Sequence, residues 1–504
     1  MRELDDERSA APAGPTAANP VRRVIGMPQR HIVFRPATEP SDTSQALLDR
    51  FDAVRREFEL PENFPREVID EARRAAGDAA LPQRDETALP FITIDPPTSK
   101  DLDQAMSIDR DGDGYRVRYA IADVPAFVTA GGAIDAEARR RGQTVYCPDE
   151  RVQLHPSELS EGAASLLPDE VRPAFVWDIR LAPDGEGTAV EIYRAMVRSV
   201  RRYDYEQVQR AVDDGSAEEC LVLLKEVGEK RVVLERARGG ATLPMPEQEV
   251  EEDGHGGFRI SFRPLLASED WNAQISLLTG MGAADLMLRG KVGILRTMPP
   301  PDPRDLKRFR RQAAALGVPW AEGLAYGEFL RTLDHSEPKH LALIHEATTL
   351  FRGAGYTPFD GAVPDQPLHA AVANPYAHVT APLRRLVDRF GLVVCEALSS
   401  GRDVPAWVRE ALPTLPEIMA TSDRRTNGVE RACTDAVEAA ELLPHLGRTL
   451  AAVVVDENDK GVVVQLLEHA VVARAKGAAK AGDSVSVRVD VADVATGGIT
   501  LSVV

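Results

Sequence analysis

The segment TIDPPTSKDLDQ places Asp95, Asp101 and Asp103 close together, in a stretch stiffened by Pro96 and Pro97. On an extended backbone, residues two apart point the same way, so Asp101 and Asp103 are expected to aim at one point. Asp95 ends the strand-like run LPFITI and meets them if the loop curls back. Carboxylates this close repel one another and resist ionising together unless a cation neutralises them. Hard oxygen donors suit magnesium or manganese, the ions that serve phosphodiester chemistry. The ordinary alternative is a surface turn rich in Asp, Pro and Ser.

A second constellation lies far along the chain, in YAHVTAPLRRLVDRF from Tyr376. Arg384 and Arg385 closely follow Pro382, in a loop or at a helix start. Guanidinium groups there can grip phosphate oxygens bidentately and offset charge that develops during cleavage. Taken alone, an arginine pair is more commonly a solvated ion-pair partner. Two look-alikes carry no chemistry. DRDGDG from Asp109 begins like a calcium loop, but its twelfth position is Ala120 rather than Glu. HEATT at His345 and Glu346 has Thr349 where a zinc protease needs its second histidine.

The elements that must position these groups follow from patterning. Residues 1–20 are expected to be a disordered tail, and 21–88 a short module. That module holds a strand around HIVFRP and two helices, TSQALLDRFDAVRREF and PREVIDEARRAA. From residue 89 the texture becomes strand-rich. AMSIDRDGDGYRVRYAIADV reads as a hairpin, and AFVWDIRL pairs with TAVEIYRAMV. Helical patterns follow in YEQVQRAV, AADLMLRG and RDLKRFRRQAAALG. Residues 89–400 thus form an α+β domain, an antiparallel β core with surrounding helices. A helical connector spans 401–444, and 445–504 alternates apolar and polar residues like a small OB-type barrel.

Composition bounds the partners. The 504 residues carry 79 acidic against 60 basic side chains, a formal charge of −19, which argues against a polycationic nucleic-acid binder. Cys147, Cys220, Cys395 and Cys433 lie far apart, so neither a zinc ribbon nor a disulfide framework is expected. No run is long and apolar enough for a membrane helix, and the N-terminus lacks a signal-peptide core. A cytoplasmic monomer with no predictable protein partner is expected.

TIDPPTSKDLDQAMSI, with YAIADVPAFV beyond it, resembles the catalytic entry of the ribonuclease II (RNB) family, and YAHVTAPLRRLVD is similar to that family's arginine signature. The intervening RRRGQTVYCPDERVQLHPSELSEGAASLLPDEVRPAFVWDIRL resembles the family's middle elements in the same order. The resemblance spans about residues 89–400. It implies an RNB-type domain that hydrolyses single-stranded RNA from the 3′ end to nucleoside 5′-monophosphates, with Mg2+ or Mn2+ as cofactor. Asp95, Asp101 and Asp103 match the family's metal-organising carboxylates, and Gln104 stands where a fourth is usual. Arg384 matches the arginine on the scissile phosphate, with Arg385 beside it as a further RNA contact. Tyr146 matches an aromatic that stacks on RNA, Tyr205 a tyrosine near the 3′-terminal nucleotides, and Gln274 a usually acidic position there. Basic residues expected along an RNA channel are Arg139, Arg140, Arg141, Arg198, Arg201 and Arg202.

Departures qualify the resemblance. Gln104 and Gln274 each remove a negative charge, Gly280 replaces an Asn, and Ala381 replaces a Ser. The region ahead of the RNB-like segment has room for no full cold-shock barrel. The C-terminal barrel has no Phe, Trp or Tyr, so it lacks a base-stacking platform. The rival expectation is a catalytically silent RNA-binding or regulatory protein on the same fold.

Overall fold

The computed structural model describes residues 32–34, 42–245, 247–252, 258–263, 265–458, 461–469 and 471–504. The expected tail, residues 1–20, lies outside the described residues. Of HIVFRP, only β1 (Ile32–Phe34) is described. The two expected helices are α1 (Asp42–Glu57) and α2 (Arg66–Asp78), the latter entered through Pro65 as its N-cap.

The catalytic-domain core begins with β2 (Phe91–Ile94), β3 (Gln104–Asp111) and β4 (Gly114–Ala122). Gly112 opens the β3–β4 turn at a φ of +59°, a backbone angle that costs glycine little. After α3 (Ala133–Arg141) come the short paired strands β5 (Val145–Tyr146) and β6 (Arg151–Val152). The long strands β7 (Val171–Leu181) and β8 (Gly187–Tyr203) follow. Strands β2-β3-β4-β7-β8 close into a barrel, because β2 pairs in parallel with the end of β8 from Phe91↔Ser199 to Ile94↔Tyr203. Neither the closure nor the barrel was legible in the hairpin patterns.

Strands β4 and β7, in the middle of this wall, are buried along most of their length on both faces. Tyr119, Ile121, Phe175 and Trp177 pack in one cluster with Leu224 of α5 (Glu219–Ala237), which follows α4 (Tyr205–Asp213). Ala120, Ala122, Ala174 and Val176 pack in another with Val68 and Ala72 of α2 and Ile134 of α3. Beyond the strand pair β9 (Glu247–Glu252) and β10 (Phe258–Arg263) runs α6 (Ala267–Gly290). This helix is buried on several faces. AADLMLRG is only its last third. Gly280 sits where a Cβ would lie 2.1 Å from Cε2 of Tyr376, so only glycine lets the Tyr376–Arg385 segment lie against α6.

A helical lobe follows. Strand β11 (Val292–Thr297) leads to α7 (Pro303–Ala315), α8 (Tyr326–Arg331) and α9 (Pro338–Ala347), and β11 pairs with β12 (Gly355–Asp360). The short strands β13 (Leu368–His369) and β14 (Asn374–Pro375) precede the arginine segment, which ends in α10 (Leu386–Ser399). The connector is α11 (Ala406–Ala411) and the long α12 (Leu415–Leu442). Strands β15 (Thr449–Asn458), β16 (Gly461–Leu466), β17 (Val472–Lys476), β18 (Ser484–Asp493) and β19 (Gly498–Val503) close the second barrel in the order β15-β16-β17-β19-β18. Val454, Val464, Val487, Val489 and Leu501 fill it. Val453 and Val455 point the other way, into the core of the helical lobe with Phe309 and Leu343. No helix among the described residues is long and apolar enough to cross a membrane.

Candidate active site

Asp95 ends β2, wholly buried, and its backbone N–H donates to the Tyr203 carbonyl at 2.9 Å, continuing the strand pairing that closes the barrel. Beside it, Arg202 of β8 donates to the Pro96 carbonyl. The following loop is pinned from below by Ser165. Its hydroxyl accepts from Leu102 N–H at 2.9 Å and donates to the Lys100 carbonyl at 2.6 Å. Asp103 is delivered inward with no exposed surface. Its Oδ1 accepts from the Leu383 N–H at 2.8 Å, and its Oδ2 lies 3.4 Å from Nε of Arg384. The two sequence constellations therefore meet through Asp103 and Arg384.

The arginine segment is a turn locked from both sides. The Arg384 and Arg385 N–H groups reach back to the Ala381 carbonyl at 3.2 and 2.9 Å. The Arg384 carbonyl accepts from Thr144 N–H at 3.0 Å, next to β5. Arg384 is 7% exposed, and its buried Nη1 has no hydrogen-bond partner among the described residues. A desolvated guanidinium nitrogen without an acceptor is costly in the protein alone and is satisfied by an anion. Tyr146, at the end of β5, sits in the same field. Burial pushes its hydroxyl up to about 12, followed by the charge of Asp101 and set against Arg384.

Several of the expected residues have protein partners of their own. Residues 100–103 form a loop ahead of β3, and the charges of Asp101 and Asp103 both act on Tyr146. Asp101 pairs with Arg151 of β6 at 2.7 Å, a residue the sequence reading passed over. Gln104 was expected among metal ligands, but both ends of its amide have protein partners. Its Nε2 donates to the Thr380 carbonyl at 2.5 Å and its Oε1 accepts from Tyr119 at 2.7 Å. Tyr119 also meets Ser276 of α6 at 2.9 Å, so Gln104 ties β3 to the arginine segment and to α6.

Arg385 was expected to touch RNA. Its fork is instead spent on Asp388, at 2.8 and 2.7 Å, and Asp388 also accepts from Ala381 N–H, so this pair shapes the turn. Gln274 is buried and donates to Glu235 of α5 at 2.6 Å, within a network that includes Thr242 and Arg331. It therefore ties α6 to α5. Tyr205 joins α4 to α6, its hydroxyl accepting from Asn272 at 3.2 Å and its carbonyl from Ser268 at 2.8 Å. Arg139, Arg140 and Arg141 turn to Asp135 and Glu137 on their own helix. Sequence reasoning missed Arg151, Ser165, Tyr119 and Ser276. Only Arg151 left a trace, facing Tyr146 across the Pro-Asp turn of YCPDER.

Three carboxylates, two of them wholly buried, fit a hard divalent cation by donor type and by their need for a counter-charge. Among the described residues, no three acidic, histidine or cysteine side chains stand together as a ready-made cage. Asp95, Asp101 and Asp103 are the residues that would hold such an ion.

Fold and site define the class: an RNB-type α+β domain, its buried carboxylates set against an arginine turn, followed by a five-stranded barrel. The chain belongs to the RNB family. The RNB domain model matches residues 83–396, and the RNase II-type exonuclease C-terminal S1 domain matches residues 448–504. Ribonuclease R of Vibrio cholerae is 26% identical over 445 residues, covering 82% of this chain and 53% of the relative. The chain spans about half the length of the curated ribonuclease R relatives from two Vibrio species that it matches. Among solved structures, the apo form of Mycoplasma genitalium RNase R superposes with a TM-score of 0.79 at 19% identity, covering 92% of this chain and 78% of that one. Yeast Ssd1, described as a pseudonuclease, superposes at 0.65 with 16% identity, covering 88% and 57%.

Proposed function

We propose that the chain is a divalent-metal-dependent exoribonuclease that removes nucleoside 5′-monophosphates from the 3′ end of single-stranded RNA. The observation that carries this reading is the buried Arg384 guanidinium, whose Nη1 has no hydrogen-bond partner among the described residues and whose Nε faces the buried Asp103 carboxylate. A cation beside Asp95 and Asp103 would lower the pKa of a bound water and stabilise attacking and leaving oxygens. Arg384 grips the scissile phosphate and offsets the charge that grows on it. Asp103 holds the arginine turn in register by accepting from Leu383 N–H, so the same residue orients both halves of the site. The Tyr146 ring, next to both charges, offers a face on which a base can stack. A 2′-hydroxyl contact is what would select RNA over DNA.

The test is 5′-end-labelled RNA incubated with purified protein and Mg2+. A ladder that shortens one nucleotide at a time from the 3′ end, abolished by EDTA, is the expected result. Internal cuts, or shortening that survives EDTA, would contradict the reading. A second reading, a catalytically silent RNA binder, is favoured by one specific feature: Gln104 replaces a carboxylate with an amide already bonded at both ends. Binding without cleavage in Mg2+ and in Mn2+ would support it.

A further inference from the structure

Strands β5 and β6 form a two-residue ladder in which Tyr146 faces Arg151. Both residues reach the carboxylate centre from that one hairpin. Arg151 is more enclosed than an ordinary surface arginine, its side chain 20% exposed against 12% for Asp101 and 22% for Glu161. Its Nη1 donates to Asp101 at 2.7 Å, and its Nη2 donates to Glu161 at 2.6 Å. Gln153 donates to the same Glu161 oxygen at 2.5 Å, which fixes the far side of the fork. Arg151 is thus aimed at Asp101 by a carboxylate behind it, while Asp95 and Asp103 lie buried elsewhere in the centre.

We propose that Arg151 is a positioning residue that latches Asp101 with an internal positive charge, and that a divalent cation gains Asp101 only by displacing this guanidinium. The inference rests on the reading of Asp95, Asp101 and Asp103 as the carboxylates that serve a divalent cation. Two effects act in the same direction. A guanidinium bonded to a ligand carboxylate occupies the lone pairs the ion needs, and its charge repels the ion. Residues that orient metal ligands commonly change affinity by about 10–100-fold. Arg151 consequently sets the metal concentration at which the site fills.

The experiment is calorimetric titration of Mn2+ into the full chain without RNA, for wild type, Arg151→Gln, Arg151→Lys and Arg151→Gln with Asp101→Asn. Manganese is the probe because it favours the same hard oxygen donors. Arg151→Gln is expected to bind Mn2+ about tenfold more tightly. Arg151→Lys keeps the charge but not the fork and is expected to fall between it and wild type. Adding Asp101→Asn is expected to erase the gain. Unchanged or weaker binding by Arg151→Gln would overturn the proposal, and so would a gain that survives Asp101→Asn. If Arg151→Gln does not fold, Arg151→Lys decides alone, a gain supporting the latch and no gain overturning it. Absence of Mn2+ binding in every variant would overturn the metal reading itself, an outcome distinct from failure of the latch alone.

Discussion

Arg384 and Arg385 are adjacent, yet Arg385 spends its planar fork on Asp388 while Arg384 keeps a buried Nη1 without a hydrogen-bond partner among the described residues. Nothing in RR distinguishes them, because the assignment is made by the turn that returns to Ala381. Arg384→Lys keeps the charge and loses the fork, so the rate at saturation should fall at least tenfold, or about 1.4 kcal/mol, with KM little changed. Arg385→Ala should instead cost stability, about 3 kcal/mol in urea unfolding, by leaving a buried Asp388 without its partner. If Arg385→Ala unfolds like wild type, the structural role is wrong. Gln104 makes a sharper case. An Asp in its place can only accept, and it would face the Thr380 carbonyl that now receives Nε2. Gln104→Asp should therefore cost about 1–3 kcal/mol and should not lower the magnesium requirement. A magnesium titration shifted to lower concentration would show that Gln104 is a ligand after all.

At the scale of elements, what was legible is what local chemistry encodes. The β3–β4 hairpin is announced by DGDG, the β7–β8 pair by a DGEG turn, and α2 by Pro65. Closure of the first barrel was not legible, since the parallel β2–β8 pairing joins segments separated by most of the barrel's sequence. The full length of α6 was hidden for another reason: a helix buried on several faces has no polar stripe to betray its period. The second barrel was legible as five alternating strands, but its attachment was not. Val453 and Val455 complete the core of the helical lobe, so this barrel is also a wall of its neighbour. Deleting residues 445–504 should thus do more than weaken RNA binding. The truncated protein should expose the Phe309 and Leu343 cluster and elute as aggregates in size-exclusion chromatography. A monodisperse truncation with an unchanged melting temperature would contradict that packing.

Across the whole molecule, the formal charge of −19 and the arginine-rich site coexist because most of the arginines noted in the sequence are matched locally by carboxylates, as Arg139, Arg140 and Arg141 are by Asp135 and Glu137. The sequence motifs named Asp95, Asp103, Arg384 and Tyr146 as candidates, and the structure sets Asp103 against Arg384 with Tyr146 in the same field. They did not locate the residues that hold it, Ser165, Tyr119, Ser276 and Arg151, whose roles depend on contacts between distant segments. The account turns on the claim that Asp103 serves cleavage and not merely the fold. Asp103→Asn keeps an oxygen for the Leu383 N–H and removes the charge. The decisive measurement is single-turnover cleavage of 5′-labelled RNA by this variant and by wild type in Mg2+, with RNA affinity measured on the same samples. Cleavage is predicted to fall at least a hundredfold, about 3 kcal/mol, with affinity retained. Equal cleavage by the two proteins would contradict the account.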